Sequence, residues 1–431
     1  MVPTTDDGET VRAFADRFVD GALDEAAGLL SEDGRTTLEE GFPEEFREGA
    51  TGPSTLLRQY RRGLHSQYGP FEGVDVAEEG DGGYTVTFEF ADATETAALE
   101  VADAAVTAFT FAPTYTAPDY VDEGAFTERD LSVDAGDVGL DAVLTVPDGD
   151  GPFPTAVLVH GAGIHDPDGT AGNSKLLRDV AGGLATEGIA ALRYEKRLAL
   201  EDVPDAEFTV DRVVVDDALA ALETAAAADD VDGDALFVVG HSQGGMCAPR
   251  IATRHGGLAG VVVLDALTDY DVDPDDDLTF LRYSLDPEGD LSEEQEAELE
   301  AMRESFERLA EGDYEDDETI QGRPGAWHRS VQSVAPGETA ADLDAPAFVA
   351  KSGRADPEVQ AELLAERREG YEAWLDVDLP AGSRVEFYDD VGHYFQAGPT
   401  PLSMVQLYFG GNVADHVVAD LVAWIRDVTE E

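Results

Sequence analysis

Ala235-Leu-Phe-Val-Val239, running directly into Gly240-His241-Ser242-Gln243-Gly244-Gly245, is the stretch on which the fold of this chain turns. The first five residues are apolar and partly β-branched, which suits a short central strand buried on both faces. From Gln243 onward, Met246, Ile251 and Ala252 recur at helical spacing, so a helix begins where the strand stops. The small residues at 240 and 244 let the backbone reverse tightly between the two. Such a Gly-x-Ser-x-Gly turn lifts the serine hydroxyl into the open, the geometry of a nucleophile elbow. The plain alternative is a glycine-rich turn that carries an inert serine.

Working outward, the segments Thr155–Val159, Ile189–Arg193, Val261–Leu264, Ala347–Ala350 and Arg384–Tyr388 are further short apolar runs separated by helical stretches. Near-continuous apolar strands alternating with helices predict an α/β fold, a mostly parallel sheet with helices on both faces. Leu131–Val133 and Ala142–Val146 add strands at its start. Between Leu264 and Ala347 the connection is too long for a simple crossover and predicts a lid insertion over about 268–342. Within it, Ser292 and Gln295 form a capping box ahead of Leu299, Met302, Phe306 and Leu309 on one helix face. The acidic run Asp271-Val-Asp-Pro-Asp-Asp-Asp277 lacks the glycine and distant glutamate of a calcium loop, so no metal is expected there. Residues 1 to 124 read as a small α+β domain: helical spacing over Val11–Leu30, then alternating strands at Val74–Val76, Tyr84–Phe90 and Val106–Phe111. Asp81-Gly-Gly83 marks a hairpin turn, and Ala112–Pro118 a linker into a second domain over 125–431.

A length of 431 residues accommodates these two domains, and a hydrophobic content of 43% places the chain among globular proteins. The formal net charge is −66, from 93 acidic and 27 basic residues, spread along the whole length. Nucleic acid and anionic membranes are repelled by such a surface. Lys175, Lys196 and Lys351 are the only lysines, every other basic residue being arginine. In this the chain resembles cytoplasmic proteins of salt-loving archaea, whose self-repulsion is screened when the Debye length falls to about 3 Å in molar salt. Cys247 is the single cysteine, so no intrachain disulfide forms. The start of the chain lacks a signal-peptide pattern and no apolar run reaches membrane-spanning length, so the expected location is cytoplasmic.

A serine hydroxyl attacks at neutral pH only when a base takes its proton. His393, in Gly392-His393-Tyr394 after the last strand, is the best-placed base. His65 falls in the first domain, His160 ends an earlier strand, His241 flanks the serine, His416 lies on the terminal helix, and His328 in the insertion is the one competitor. The imidazole needs a carboxylate on its other nitrogen. Asp356, reached through the turn Lys351–Ala355, is the choice, with Asp265 at the end of the preceding strand as the alternative. For the developing oxyanion, the amide of Gln243 and, from His160-Gly161-Ala162-Gly163, the amide of Ala162 are the expected donors.

From about residue 131 onward the chain resembles the α/β-hydrolase superfamily. His160-Gly-Ala-Gly, Asn173 with Leu176 and Leu177, Leu192-Arg-Tyr-Glu-Lys-Arg197 and Gly240–Ala252 are together similar to dienelactone-hydrolase-like prokaryotic serine esterases that carry a small α+β domain in front. The resemblance implies a cofactor-free hydrolase of carboxylic esters, with Ser242 as nucleophile, Asp356 as acid and His393 as base. Two departures stand out: dienelactone hydrolases proper use a cysteine nucleophile, and related esterases carry aspartate where this chain has Glu195. The same apparatus would serve a peptidase or thioesterase, and a silent hydrolase-like binding protein is the reading from another class. A small-molecule ester is the expected partner, together with a homodimer through the first domain.

Overall fold

The computed structural model describes residues 6–47, 52–79, 83–163, 165–289 and 291–430. Residues 81 and 82 of the hairpin turn expected at Asp81-Gly-Gly83 lie outside these.

The first part of the chain builds helices α1 (Asp6–Asp20), α2 (Leu23–Ala27), α3 (Glu32–Gly41) and α4 (Pro53–Tyr68), then an antiparallel sheet of β1 (Gly73–Glu78), β2 (Tyr84–Glu89), β3 (Thr94–Ala102) and β4 (Ala105–Phe111). Ser31 caps α3 by accepting the Gly34 amide at 3.0 Å. The alternation predicted for β2 appears as Tyr84, Val86 and Phe88 turned inward. They meet Phe14 and Phe18 of α1 and Phe109 and Phe111 of β4 in an aromatic core.

The second part is a sheet of eight strands: β5 (Phe126–Asp134), β6 (Gly139–Pro147), β7 (Phe153–Val159), β8 (Ala190–Tyr194), β9 (Val231–His241), β10 (Gly260–Leu264), β11 (Ala347–Ser352) and β12 (Arg384–Tyr388), in the order β12-β11-β10-β9-β7-β8-β6-β5. The six strands from β12 to β8 pair parallel; β6 runs antiparallel to β8 and β5 to β6. Two apolar cores cover its faces, because β8 and β10 are buried at every position and offer side chains to both. Helix α5 (Leu176–Thr186) and the terminal helix α13 (Asp415–Glu430) cover one face, while α6 (Asp216–Ala226) and α7 (Gln243–His255) cover the other.

The long insertion divides into two functions. Helices α8 (Pro274–Leu285) and α9 (Glu293–Glu311) form a hairpin with its own small core of Leu278, Leu285 and Leu299. The capping box of Ser292 and Gln295 opens α9, and Asp273 of the acidic run caps α8 through the Asp275 amide. The rest, with α10 (Gly325–Gln332) and α11 (Pro336–Ala341), joins the main core, where Trp327 packs on Phe208 at 5.2 Å between ring centroids. Only the α8–α9 hairpin is therefore free to overhang the sheet; helix α12 (Ala361–Leu375) then leads from β11 to β12.

The two parts share a core. Val405 and Phe409, in a 3-10 turn after β12, lie among the aromatic residues of the first part. Arg354, 1% exposed, donates to the Ser66 hydroxyl of α4 at 2.8 Å, to the Ser66 carbonyl at 2.5 Å and to Gln406 Oε1 at 2.9 Å. Among the described residues, no helix is long and apolar enough to cross a membrane.

Candidate active site

Ser242 sits at φ 53°, in the left-handed region that a non-glycine residue occupies only under constraint. The constraint is contact. A Cβ on Gly240 would strike the Gly244 carbonyl, and one on Gly244 the carbonyls of Val159 and His160. The elbow thus packs against the end of β7 in a way that only glycines at 240 and 244 permit. The Ser242 amide continues the ladder by donating to Leu264 O at 2.8 Å.

Leu264 ends β10, and the next residue, Asp265, is also at positive φ, 52°. This bend aims its carboxylate at the base: His393 Nδ1 lies 2.6 Å from Asp265 Oδ2. The Ser352 hydroxyl donates to Oδ2 at 2.6 Å, the Ser352 amide to Oδ1 at 3.1 Å, and Lys351 Nζ is 3.1 Å from Oδ1. Burial on its own would raise the pKa of this carboxyl, but Lys351 and then His393 hold it well below the ordinary aspartate range. An ionised acceptor on Nδ1 places the imidazole proton there and leaves Nε2 free to act as base.

The structure corrects the choice of carboxylate. Asp356 does not face His393; it accepts the amides of Glu358 and Val359 at 2.8 and 3.2 Å and the Thr400 hydroxyl at 3.2 Å. The turn after β11 bonds to the end of β12 and the loop beyond it, Gly353 N to Tyr388 O and Arg354 N to Val391 O, and so carries Asp356 away before α12 begins. Asp265, with no turn between it and its strand, is the residue left beside the base.

His241 holds His393 from the other side. Its Nε2 lies 2.9 Å from the His393 carbonyl, and since a carbonyl only accepts, this nitrogen carries the proton. Burial, followed by the neighbouring His393, pushes the His241 pKa down to about 3, which keeps the ring neutral in this role. His65 instead contacts Thr400 O, His328 contacts Ile320 O, and His416 pairs with Asp390. His160 is buried in the wall of the cleft, stacked on His165 with centroids 5.7 Å apart.

Gly161 lies against the elbow, since a Cβ there would come within 3.4 Å of Ser242 Cβ. Its neighbour Ala162 is fixed by His165, whose Nε2 is 2.6 Å from the Ala162 carbonyl. Among the described residues, the amides of Ala162 and Gln243 and the hydroxyl of Ser242 have no hydrogen-bond partner in the protein. Ser242, His393, Gly161, Ala162, Leu176, Leu177, Phe280, Tyr394 and Met404 line one cavity of about 200 Å³. Phe280 comes from α8, so the helical hairpin does overhang the cleft. No group of metal-ligating side chains is found among the described residues.

Lys196, His241 and Lys351 were not among the residues assigned to the chemistry from sequence. Their signal was there in part: two of the chain's three lysines sit at this site, in a protein that otherwise uses arginine.

A serine raised on a strand-to-helix elbow, facing a histidine–aspartate pair at the carboxyl ends of a mostly parallel sheet, is the arrangement of the serine-dependent α/β-hydrolases. Sequence comparison agrees with that class. The profile of the alpha/beta hydrolase family matches residues 156–402, more than half of the chain, and the protein belongs to this family. It is 31% identical over 312 residues to esterase EstD of Thermotoga maritima, covering 72% of this chain and 70% of that one. Solved structures similar to it include Est1E from Butyrivibrio proteoclasticus (14% identity, TM-score 0.42, covering 70% of this chain and 99% of that one). Another is a hyperthermophilic esterase of the archaeon Pyrobaculum calidifontis (15% identity, TM-score 0.44, 70% and 86%).

Proposed function

We propose that the protein is a serine hydrolase that cleaves carboxylic esters, with Ser242 as nucleophile, His393 as base and Asp265 as its carboxylate. The observation that carries the reading is the 2.6 Å contact between His393 and an ionised, buried Asp265 beside the strained Ser242. Likeness to esterase EstD supports the ester as substrate. In the reaction, Ser242 Oγ attacks the ester carbonyl while His393 Nε2 takes its proton, and the amides of Ala162 and Gln243 receive the oxyanion. Collapse breaks the bond to the alcohol, which leaves with the proton from His393. Water, deprotonated in turn by His393, attacks the acyl carbon; the bond to Ser242 Oγ then breaks, the carboxylic acid leaves and Oγ takes the proton back from His393.

A cavity of about 200 Å³ roofed by Phe280 suits esters of short acyl chains. The chemistry calls on no cofactor. The finer reading is a cytoplasmic, dienelactone-hydrolase-like esterase of a halophilic archaeon, divided at about residue 124 into a small first domain and a catalytic domain with a lid. A homodimer through the first domain, and no binding of nucleic acid or membrane, belong to the same reading. A fluorophosphonate should label Ser242 in molar KCl, and a panel of ester, thioester and peptide substrates should show turnover highest on short-chain esters. Absence of labelling in folded protein would remove the hydrolase reading, and preference for peptide or thioester would replace the substrate class.

A further inference from the structure

Lys196 follows β8 and is 2% exposed, yet among the described residues no carboxylate forms an ion pair with it. Buried lysines are ordinarily paired with an acid. Its Nζ instead donates to the Gly161 carbonyl at 2.5 Å and to Gln243 Oε1 at 3.1 Å. Both partners belong to the oxyanion site. The Gly161 carbonyl shares its trans peptide plane with the Ala162 amide, and Gln243 supplies the other amide from its own backbone.

We infer that Lys196 is a positioning residue for ester hydrolysis, one buried ammonium that holds from behind both backbone amides on which the oxyanion rests. The inference rests on the ester-hydrolase reading above. In a trans peptide the carbonyl and the amide point in opposite directions, so a donor fixed on Gly161 O sets the plane and turns the Ala162 amide away from the lysine. A hydrogen bond to the carbonyl also polarises the amide of the same peptide and strengthens it as a donor. The second contact pins the Gln243 side chain at the first turn of α7, which restrains the residue whose amide completes the pair. Negative charge on the substrate oxygen then develops against donors that need no reorientation.

The composition of the chain makes the choice of residue pointed. Only three of its 27 basic residues are lysines, and this one is sealed inside. A compact ammonium reaches two acceptors at different angles, which the flat guanidinium of arginine does not do in the same space. Burial pushes the Lys196 pKa down to about 7, with Cys247, Arg323 and Asp217 as the charged or titratable groups acting on it and His160 and His165 acted on by it. The amine keeps N–H donors in either protonation state, so the restraint survives its titration.

The test uses the full chain in molar KCl, with Lys196→Met and Lys196→Gln. For each, kcat and KM on a short-chain ester are measured, with inhibition by a trifluoromethyl ketone, which forms the tetrahedral oxyanion, and by the product acid, which does not. Weakening both donors without removing either should lower kcat of Lys196→Met roughly 10- to 100-fold, with KM within about twofold. Trifluoromethyl ketone affinity should fall by the same factor as kcat/KM while product-acid affinity holds, and Lys196→Gln, which retains a donor, should recover part of both. Unchanged kcat, or a kcat loss without loss of ketone affinity, would overturn the proposal. Loss of the fold in both variants would make Lys196 a structural residue and overturn it equally. A wild-type protein inert toward every ester would instead bring down the ester-hydrolase reading itself.

Discussion

Asp265 and Ser242 both occupy positive φ at the ends of adjacent strands, so two strained residues meet at one edge of the sheet. Strain of this kind persists only where surrounding contacts over-determine it, and here glycine packing fixes the serine while Ser352 and Lys351 fix the aspartate. Asp265→Asn should therefore lower kcat about 10⁴-fold, as expected when the acceptor on Nδ1 is neutralised and the wrong tautomer is favoured. Asp356→Asn should stay within about threefold of the parent, since that carboxylate caps a turn and accepts the Thr400 hydroxyl without touching His393. Steady-state kinetics on one ester separates the two. Lys196 gives a pH prediction whose sign follows from burial. Its folded pKa of about 7 lies below that of an unfolded lysine, near ~10.4, so across that window the unfolded chain binds more protons and stability rises with pH. Cys247 beside it is pushed up to about 12 by burial and stays protonated throughout. Denaturant midpoints at pH 7 and 9.5 should rise in the wild type relative to Lys196→Met; parallel behaviour of the two would assign the slope to other groups.

At the level of elements, the cleft is completed by pieces that the sheet does not supply, among them the loop after β7, the 3-10 turn after β12 and the α8–α9 hairpin. Lys196 holds the loop after β7, and α4 of the first part of the chain holds the other two. Arg62 of α4 pairs with Asp286 and Glu288 at the end of α8, and Gln59 donates to Leu285 O at 3.1 Å, so the first part of the chain holds the hairpin over the cavity. Phe280 projects from that hairpin into the cleft, and Phe280→Ala should widen it, raising activity on longer acyl chains relative to short ones in a chain-length series. Gly63 of α4 marks the closest approach to the 3-10 turn, where a Cβ would fall within 3.0 Å of Val405 and Phe409. Gly63→Ala is expected to cost ~1–3 kcal/mol by overpacking this seam, read as a lower denaturant midpoint. A gain in stability, from helix propensity alone, would mean the seam yields.

Over the whole molecule, 93 acidic residues repel one another with 27 basic residues to oppose them. Compactness and activity should increase with KCl into the molar range as the Debye length shrinks to about 3 Å, measurable by scattering and by turnover; full activity without salt would exclude this dependence. The alternation of apolar strands and helices, the elbow, and the late histidine were legible because each depends on neighbours in the chain: a strand of five apolar residues, two glycines flanking a serine, a loop after a strand. The capping box of Ser292 was legible for the same reason. The identity of the carboxylate was not. Asp265 and Asp356 both follow parallel strands in an acid-rich chain, and which of them reaches His393 depends on how the turn after β11 bonds across to β12. Nor did sequence reveal that Lys196, about 35 residues from Gly161 and 47 from Gln243, lies behind both. By itself, then, the sequence determined the sheet, the elbow serine and the late histidine, which local pattern encodes. Tertiary structure alone decided which carboxylate meets His393, what lies behind the amides of Ala162 and Gln243, and how the hairpin is fastened, because those are contacts between segments distant in the chain, set by strand register and packing.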